Sequence, residues 1–278
     1  MEPEFSRLLT LGWKFPMKDG EGIFTPQVID EVSISFPSEG YSGEESNSEA
    51  RGFWARERAQ CIWDLLKVNS IELLWEIGAG NGNAAIPLRD RGIKIFPIEP
   101  LRSGALTLSK NGFTTFQATL ENLSFPDNSI EAIGAFDVLE HLEDPAIILR
   151  EIHRVLIPGG IFVCTVPAYQ WLFSDFDLSI GHYRRYSRKS LSTQLNSSSF
   201  TITHQSAIFA FLLIPAFMLR RVPYLLGRRA NLLEVSKSVG GNSSIVNKLE
   251  WLFRGVNRVE RRLRLPIGLT LLCVARKS

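Results

Sequence analysis

A glycine-rich turn flanked by acidic residues is the part of this sequence best suited to hold a charged ligand. The segment EIGAGNG contains Glu76, Gly78, Gly80 and Gly82. Glycines let the backbone approach a ligand closely, and a helix that begins beyond them offers free N–H groups. A second acid, Glu99, ends the apolar run IKIFPIE, where a carboxylate can accept hydrogen bonds from both hydroxyls of a ribose. Considered separately, these residues also fit a tight turn without a ligand and a surface acid at a strand end.

The dinucleotide fingerprint GxGxxG is the main alternative interpretation of the turn. Gly78 and Gly80 match it, but Asn83 stands at the third glycine position and is too large for close packing of helix against strand. The carboxylate of Glu76 would repel a pyrophosphate and attract a cation. S-adenosylmethionine is such a cation, because it carries a sulfonium and a protonated amine. The turn therefore favours this methyl donor over a nicotinamide dinucleotide.

Histidines accept protons near neutral pH, and the sequence has four of them. His141 in FDVLEHL and His182 in GHYRRY each follow a predicted strand, at the edge where doubly wound sheets bind ligands. His153 and His204 lie in a predicted helix and a predicted strand, and we interpret both as structural. We expect His182 or His141 to act as a general base. The alternative is that His141 shapes its loop and His182 caps a turn.

The elements that position these residues alternate between strand and helix. Strand patterns occur at 71–78, 93–100, 112–118, 129–136, 161–167, 200–211 and 268–277, and helix patterns at 51–67, 83–92, 103–112, 145–156, 187–198 and 245–264. Asp144 before Pro145 is a preferred helix start, and Ser187 is a candidate cap of the helix over 187–198. Strands separated by helices require crossover connections, and hence a parallel sheet covered on both faces. We predict a doubly wound, mostly parallel α/β fold.

Five segments, in this order, resemble the motif series of class I S-adenosylmethionine-dependent methyltransferases. They are ELLWEIGAGNGN, FPIEP, ATLENLSFPDNSIEAI, FDVLEHLEDP and LREIHRVLIPGGIFVCTVP, and they cover about residues 71–167. The similarity is greatest to the small-molecule branch around the ubiquinone/menaquinone-type and the type 11 and type 12 domains. It implies a Rossmann-like fold with a seven-stranded sheet, S-adenosylmethionine as cofactor and methyl transfer as activity.

The resemblance also implies roles for single residues at the glycine-rich turn. Gly78, Gly80 and Gly82 would wrap the methionine and ribose part of the cofactor. Glu76 would support that loop or bind the amine, and Glu99 would bind the ribose hydroxyls.

Residues farther along the chain would complete the cofactor pocket. Thr119, Leu120 and Glu121 would flank the adenine, and Phe136 and Asp137 would lie beneath the methionine end. The family usually has Asp where Thr119 stands, so the adenine contact is a departure from its pattern.

Two further segments match similar enzymes. GFWARER would place Trp54 and Arg58 as a lid over the cofactor, although Trp54 also fits a core anchor of its helix. GHYRRY belongs to the substrate region of similar proteins, so we expect Tyr183 to be a catalytic residue that contacts the acceptor, together with Arg184 or Arg185.

Charge is unevenly distributed, although the net charge of the 278 residues is only +2. Residues 1–50 carry ten acids and three bases, whereas 217–264 carry eleven bases and three acids. This basic region suits an anionic group on the acceptor or an acidic lipid surface, and equally a solvated helix face. The sequence has no nucleic-acid-binding module, and FDVLEH replaces the NPPY or DPPY motif of amino-methylating enzymes. We therefore expect a small-molecule, saccharide or lipid-linked acceptor that is methylated on oxygen, rather than nucleic acid.

The longest apolar run, Ala207–Leu219, is shorter than the roughly 20 residues that span a bilayer, and Pro215 interrupts it. We predict an N-terminal extension (1–50, partly loop), a methyltransferase domain (51–278), and within it an apolar and basic helical cap (207–266). Residues 207–226 are the expected place of any peripheral membrane contact.

Three cysteines without CxxC spacing predict neither a disulfide framework nor a metal site, and fit a reducing cytoplasm. The acidic opening segment predicts no signal peptide. The oligomeric state and the acceptor are not indicated. Two other functions stay open: a nicotinamide-dependent oxidoreductase, and a regulatory protein that binds the cofactor without catalysis.

Overall fold

The computed structural model describes residues 2–14, 16–26, 52–227, 255–260 and 265–278. Two short strands, β1 (Met17–Lys18) and β2 (Phe24–Thr25), form an antiparallel hairpin. The main sheet consists of β3 (Leu73–Ile77), β4 (Lys94–Ile98), β5 (Ile130–Phe136), β6 (Leu156–Pro167), β7 (Phe200–Ile208) and β8 (Thr270–Lys277). The strands lie in the order β4-β3-β5-β6-β8-β7. All pairs are parallel except those of β8, which is antiparallel to both neighbours.

Helices cover both faces of this sheet. They are α1 (Pro3–Thr10), α2 (Phe53–Val68), α3 (Ala85–Arg89), α4 (Arg102–Lys110), α5 (Pro145–Val155), α6 (Asp175–Ser179) and α7 (Arg188–Ser197). A helical segment after β7 combines Leu213–Ala216, the π-helical Phe217–Arg221 and Val222–Leu225. Apolar residues of α1, α5 and α7 share one core with the sheet, and those of α2, α3 and α4 share the other. The predicted doubly wound, mostly parallel fold is confirmed.

The prediction of seven strands is wrong by one, because the main sheet has six strands in the part of the chain that the structure describes. The expected strand at 112–118 is reduced to isolated bridges from Phe116 to Ile98 and to Phe24. Phe116 donates to Pro97 O and accepts from Glu99 N–H, both at 2.9 Å. The next bond of a parallel ladder would need an N–H at residue 97, which proline lacks. The pairing therefore cannot extend toward Thr114, and β2 lies beside Phe116 at this edge.

The N-terminal segment contributes an aromatic layer to the core. Phe5 lies 4.8 Å from Phe96 between ring centroids, and Trp13 lies 6.2 Å from Trp75. The Trp13 indole N–H donates to Leu123 O at 2.7 Å, so its one polar atom is satisfied within the core. Helix α1 thus packs on the sheet, while the proposed boundary at residue 50 stays a prediction.

Local capping signals are confirmed. The Asp144 carboxylate accepts the Ala146 N–H at 3.0 Å, with Pro145 opening α5. Ser187 Oγ accepts the Ser190 N–H at 3.0 Å at the start of α7. These caps satisfy N–H groups that a helix start otherwise leaves without a partner.

Several predictions fall partly or wholly outside the described residues. Of the extension predicted over 1–50, residues 27–50 lie outside them, and of the helix predicted over 245–264 only 255–260 are described, which are helical. Within the part of the chain that is described, no helix is both long enough and apolar enough to cross a bilayer.

Candidate active site

The glycine-rich turn runs from β3 into α3 across the carboxyl edge of the sheet. Gly78 has φ +61° and its N–H donates to Ile98 O at 2.8 Å. A Cβ on Gly78 would stand 2.9 Å from Val138 Cγ2, in the segment that follows β5. Side chains larger than glycine are excluded here, so this turn and the segment after β5 meet directly.

Glu99 is the acid that closes the turn from the side of β4. It is buried, and its Oε2 and Oε1 accept the N–H groups of Gly80 at 2.7 Å and Leu101 at 2.8 Å. Burial raises the pKa of Glu99 to about 7, and the two N–H bonds oppose that rise. The carboxylate therefore links the glycine turn to the start of α4 and retains further lone pairs as acceptors.

The close approach of α4 to Glu99 depends on Gly104. A Cβ there would lie 2.8 Å from Glu99 Cγ and 2.9 Å from Gly80 O. We expect Gly104→Ala to lower the free energy of unfolding by about 1–3 kcal/mol, because the packed backbone must shift. Urea denaturation measures this difference.

Gly20→Ala is the matched control for Gly104→Ala. Gly20 is exposed, and no described atom lies within 4 Å of a Cβ built on it. Its substitution should change the free energy of unfolding by less than about 0.5 kcal/mol. Equal stability of the two variants would contradict the close packing at Gly104.

Arg58 brings the acids around the turn together. It is buried in α2 and forms an ion pair with Asp137, whose Oδ1 accepts the Thr165 hydroxyl at 2.9 Å. Glu76 is also buried, and burial raises its pKa to about 8; the positive charge of Arg58 opposes this rise and Glu99 adds to it. One guanidinium therefore compensates part of the negative charge at the carboxyl edge of β3 and β5.

A second cluster lies after β5 and contains both predicted base candidates. The rings of His141 and His182 are 4.6 Å apart between centroids. His182 Nδ1 lies 2.9 Å from Asp177 Oδ1, which also accepts from Arg185 Nε at 2.7 Å. Burial, followed by the charge of His182, lowers the pKa of His141 to about 4.

Glu140 completes this cluster. Its side chain is 0% exposed, and its Oε1 lies 3.8 Å from His182 Nε2. Neither carboxylate oxygen accepts a hydrogen bond from another residue of the described chain. Burial raises the pKa of Glu140 to about 8, against the lowering effect of Arg58 and Arg185.

The residues expected to contact the acceptor lie around the same cluster. The Tyr183 N–H donates to Glu140 O at 2.8 Å, and its side chain is partly exposed. Arg184 donates to the carbonyls of Leu142 and Glu143 at 3.1 and 2.6 Å, whereas Arg185 is buried against Asp177. Both guanidinium groups thus hold neighbouring segments, and acceptor binding by them stays a prediction.

The predicted adenine segment and lid lie at the margins of the site. Thr119 donates its hydroxyl to Asn122 Oδ1 at 2.9 Å, Leu120 is buried and Glu121 is exposed. Phe136 is buried at the end of β5. Trp54 stacks on Phe209 at 3.9 Å between ring centroids, so it joins α2 to the segment after β7.

Sequence reasoning missed Glu140 and Asp177. Glu140 directly precedes His141, and Asp177 stands five residues before His182. Both are fully buried, yet neither lies in a segment whose pattern predicts a buried acid. Proximity to a histidine candidate was the one signal that could have indicated them.

Comparison with known proteins shows a similarity to methyltransferases. Residues 75–164 match the family described as "Methyltransferase domain". An uncharacterized methyltransferase of Mycolicibacterium paratuberculosis is 26% identical over 154 residues, which is 50% of this chain and 60% of the relative. A protein of Mycolicibacterium smegmatis, named as an S-adenosylmethionine-dependent methyltransferase, is 33% identical over 93 residues, or 32% of this chain and 36% of the relative.

A solved structure shares the fold. The S-adenosylmethionine-dependent methyltransferase of Thermotoga maritima aligns with a TM-score of 0.53 and 15% identity, covering 84% of this chain and 94% of that one. Residues 75–164 are therefore similar to a methyltransferase domain, and the fold is shared with this solved S-adenosylmethionine-dependent methyltransferase. The chain spans about 60% of the length of the first curated relatives that it matches.

Proposed function

We propose that this protein transfers a methyl group from S-adenosylmethionine bound at the turn between β3 and α3. The observation that carries the proposal is the pair of buried acids Glu76 and Glu99 around the glycine turn. A cationic sulfonium and amine suit these carboxylates, while a pyrophosphate would be repelled. Glu99 would bind the ribose hydroxyls through its remaining lone pairs, and Gly78, Gly80 and Gly82 would line the methionine part.

The rest of the predicted pocket forms part of the same proposal. Thr119, Leu120 and Glu121 would flank the adenine, and Phe136 and Asp137 would lie beneath the methionine end. Arg58, through its ion pair with Asp137, would hold that floor in place. Trp54 would cover the edge of the cofactor site, where its ring is stacked on Phe209.

Isothermal titration calorimetry with three ligands tests the cofactor. We expect S-adenosylmethionine and S-adenosylhomocysteine to bind and NAD to give no heat. Binding of NAD without the other two would replace the proposal by a nicotinamide-dependent function. Binding of the methyl donor without product from any acceptor would favour the regulatory alternative.

For the acceptor we propose a small molecule, a saccharide or a lipid-linked compound with an anionic group, methylated on oxygen. Support comes from the segment after β7, where Ile214, Met218 and Leu225 are exposed next to Arg221. Exposed apolar side chains beside a base suit the surface of an anionic membrane. Peripheral membrane contact and a cytoplasmic location accordingly belong to the proposal.

The histidine cluster would remove the proton of the acceptor hydroxyl. Asp177 fixes Nδ1 of His182, the Nε2 of His182 lies toward Glu140, and Tyr183 is the next residue of the chain. We expect His182→Ala and His141→Ala each to lower turnover by about 100-fold or more, with little change in the affinity for S-adenosylmethionine. Single-turnover kinetics and calorimetry measure the two effects, and full turnover in both variants would sink this assignment.

A further inference from the structure

The buried carboxylate of Glu140 is the unexplained group of this site. Its side chain is completely buried, and no other residue within the described ranges donates a hydrogen bond to either oxygen. Burial of a carboxylate is unfavourable unless a proton, a hydrogen-bond donor or a cation compensates it. The cluster around it shows which of these the site is built to receive.

Two imidazoles converge on Glu140. One ligand atom from each of Glu140, His141 and His182 lies within 4.8 Å of the others. Two ligand atoms on a tetrahedral zinc ion are about 3.4 Å apart, given bonds of about 2.1 Å. Shortening these separations by at most about 1.4 Å would therefore bring all three atoms to bonding distance of one ion, and Glu140 Oε1 and His182 Nε2 are already 3.8 Å apart.

Neighbouring groups orient both imidazoles. Asp177 Oδ1 lies 2.9 Å from Nδ1 of His182, so the opposite nitrogen, Nε2, faces Glu140. His141 donates a hydrogen bond to the backbone of Gly181. A carboxylate or carbonyl behind a histidine is the usual arrangement behind a metal ligand, because it fixes the tautomer and the ring orientation.

The two nearby arginines do not leave an excess of positive charge. Arg58 is paired with Asp137, and Arg185 with Asp177. Each pair is neutral in sum, so the charges of these two arginines are already compensated beside Glu140. A divalent cation at this position would therefore meet a carboxylate rather than net repulsion.

We propose that Glu140, His141 and His182 together bind one divalent first-row transition-metal ion, such as Zn²⁺ or Mn²⁺. Two imidazoles and one carboxylate suit these ions, whereas Mg²⁺ and Ca²⁺ prefer ligand sets made of oxygen alone. This revises the expectation of no metal, which rested on the cysteines. The ligands that matter here are histidines brought together by the fold.

Three protein ligands leave one coordination position of the ion open. The role of that position in catalysis rests on the proposed methyl transfer. The oxygen of an acceptor hydroxyl would donate a lone pair to the ion, which lowers the pKa of that hydroxyl, and its proton would leave to water. Another lone pair of the oxygen then attacks the methyl carbon. The carbon–sulfur bond breaks, its electron pair stays on sulfur, and S-adenosylhomocysteine leaves. His182 then serves as a ligand, and the ion replaces it as the group that promotes proton loss.

Metal titration of the full chain tests the site without any acceptor. Protein stripped with a chelator would be titrated with Co²⁺ and with Zn²⁺ by calorimetry, and the Co²⁺ complex followed by visible absorption. We expect one equivalent of metal and a d–d spectrum without the thiolate charge-transfer band that cysteine ligands would produce. Glu140→Gln and His182→Ala should each weaken metal binding by at least about tenfold, and Asp177→Asn by about tenfold to 100-fold.

His204→Gln is the matched control, because His204 bonds Ser206 in β7 and takes no part in the cluster. It should bind metal as the natural chain does. No binding by the natural chain, or equal binding by Glu140→Gln, would overturn the inference. The affinity for S-adenosylmethionine is measured on the same metal-free samples. If the natural chain binds S-adenosylmethionine but no metal, the metal site is refuted and the proposed function stands. If the natural chain does not bind S-adenosylmethionine, the proposed function itself is refuted.

Discussion

Glu99→Gln is expected to weaken S-adenosylmethionine binding by about tenfold to 100-fold. Hydrogen bonds to a charged group contribute about 1.5–3 kcal/mol, and each 1.4 kcal/mol is about tenfold in affinity. The amide also loses one acceptor oxygen, so it cannot accept from Gly80 and Leu101 in the way that the carboxylate does. Calorimetry with S-adenosylmethionine and S-adenosylhomocysteine gives the two affinities.

The pH dependence of affinity provides a second measure of the same residue. Since the pKa of Glu99 is raised to about 7, its carboxylate takes up a proton as the pH falls through that value. The affinity of the natural chain should therefore decrease below pH 7, and the affinity of Glu99→Gln should depend less on pH. Any remaining dependence would come from Glu76, whose pKa is about 8 and which faces Arg58 and Glu99.

Glu131→Gln is the control for Glu99→Gln. Glu131 lies in β5, and its side chain is exposed. Its substitution removes the same charge without touching the turn, so affinity should stay within about twofold of the natural chain. An unchanged affinity in Glu99→Gln would refute its role toward the ribose.

Arg58→Met has the largest expected effect on stability. The guanidinium is the partner of Asp137 and the compensating charge for Glu76 and Glu140. Methionine keeps much of the length of the side chain but leaves those acids without it. Removal of one partner of a buried pair usually lowers the free energy of unfolding by about 3–5 kcal/mol. Urea denaturation followed by circular dichroism measures the loss.

A control in the same helix and a double variant separate charge from packing. Lys67→Met in the last turn of α2 should change stability by less than about 1 kcal/mol, because Lys67 is exposed and contacts only the Trp63 ring among its described partners. Asp137→Asn combined with Arg58→Met should recover part of the loss, because one unpaired acid is removed. If Arg58→Met lowered the free energy of unfolding by less than about 0.5 kcal/mol, the buried acids would not depend on the Arg58 charge.

Local patterns in the sequence determined the class of fold and its alternation of strands and helices. The Asp144-Pro145 start, the Ser187 cap and the glycine turn each act over a few residues, so they could be predicted without knowledge of the chain path. The motif series from 71 to 167 also made it possible to predict the methyl donor. The failed prediction was the strand at 112–118: its own pattern is that of a strand, but Pro97 in the neighbouring β4 limits its pairing.

Only the tertiary structure decided which distant side chains share one site. Glu140 and His141 follow β5, whereas Asp177 and His182 follow β6, and nothing in the spacing of these residues predicts 3.8 Å between Glu140 and His182. The same is true of Arg58, which reaches Asp137 from α2. Such contacts depend on strand order and on the packing of loops at the edge of the sheet, and these are set by the whole core rather than by neighbouring residues.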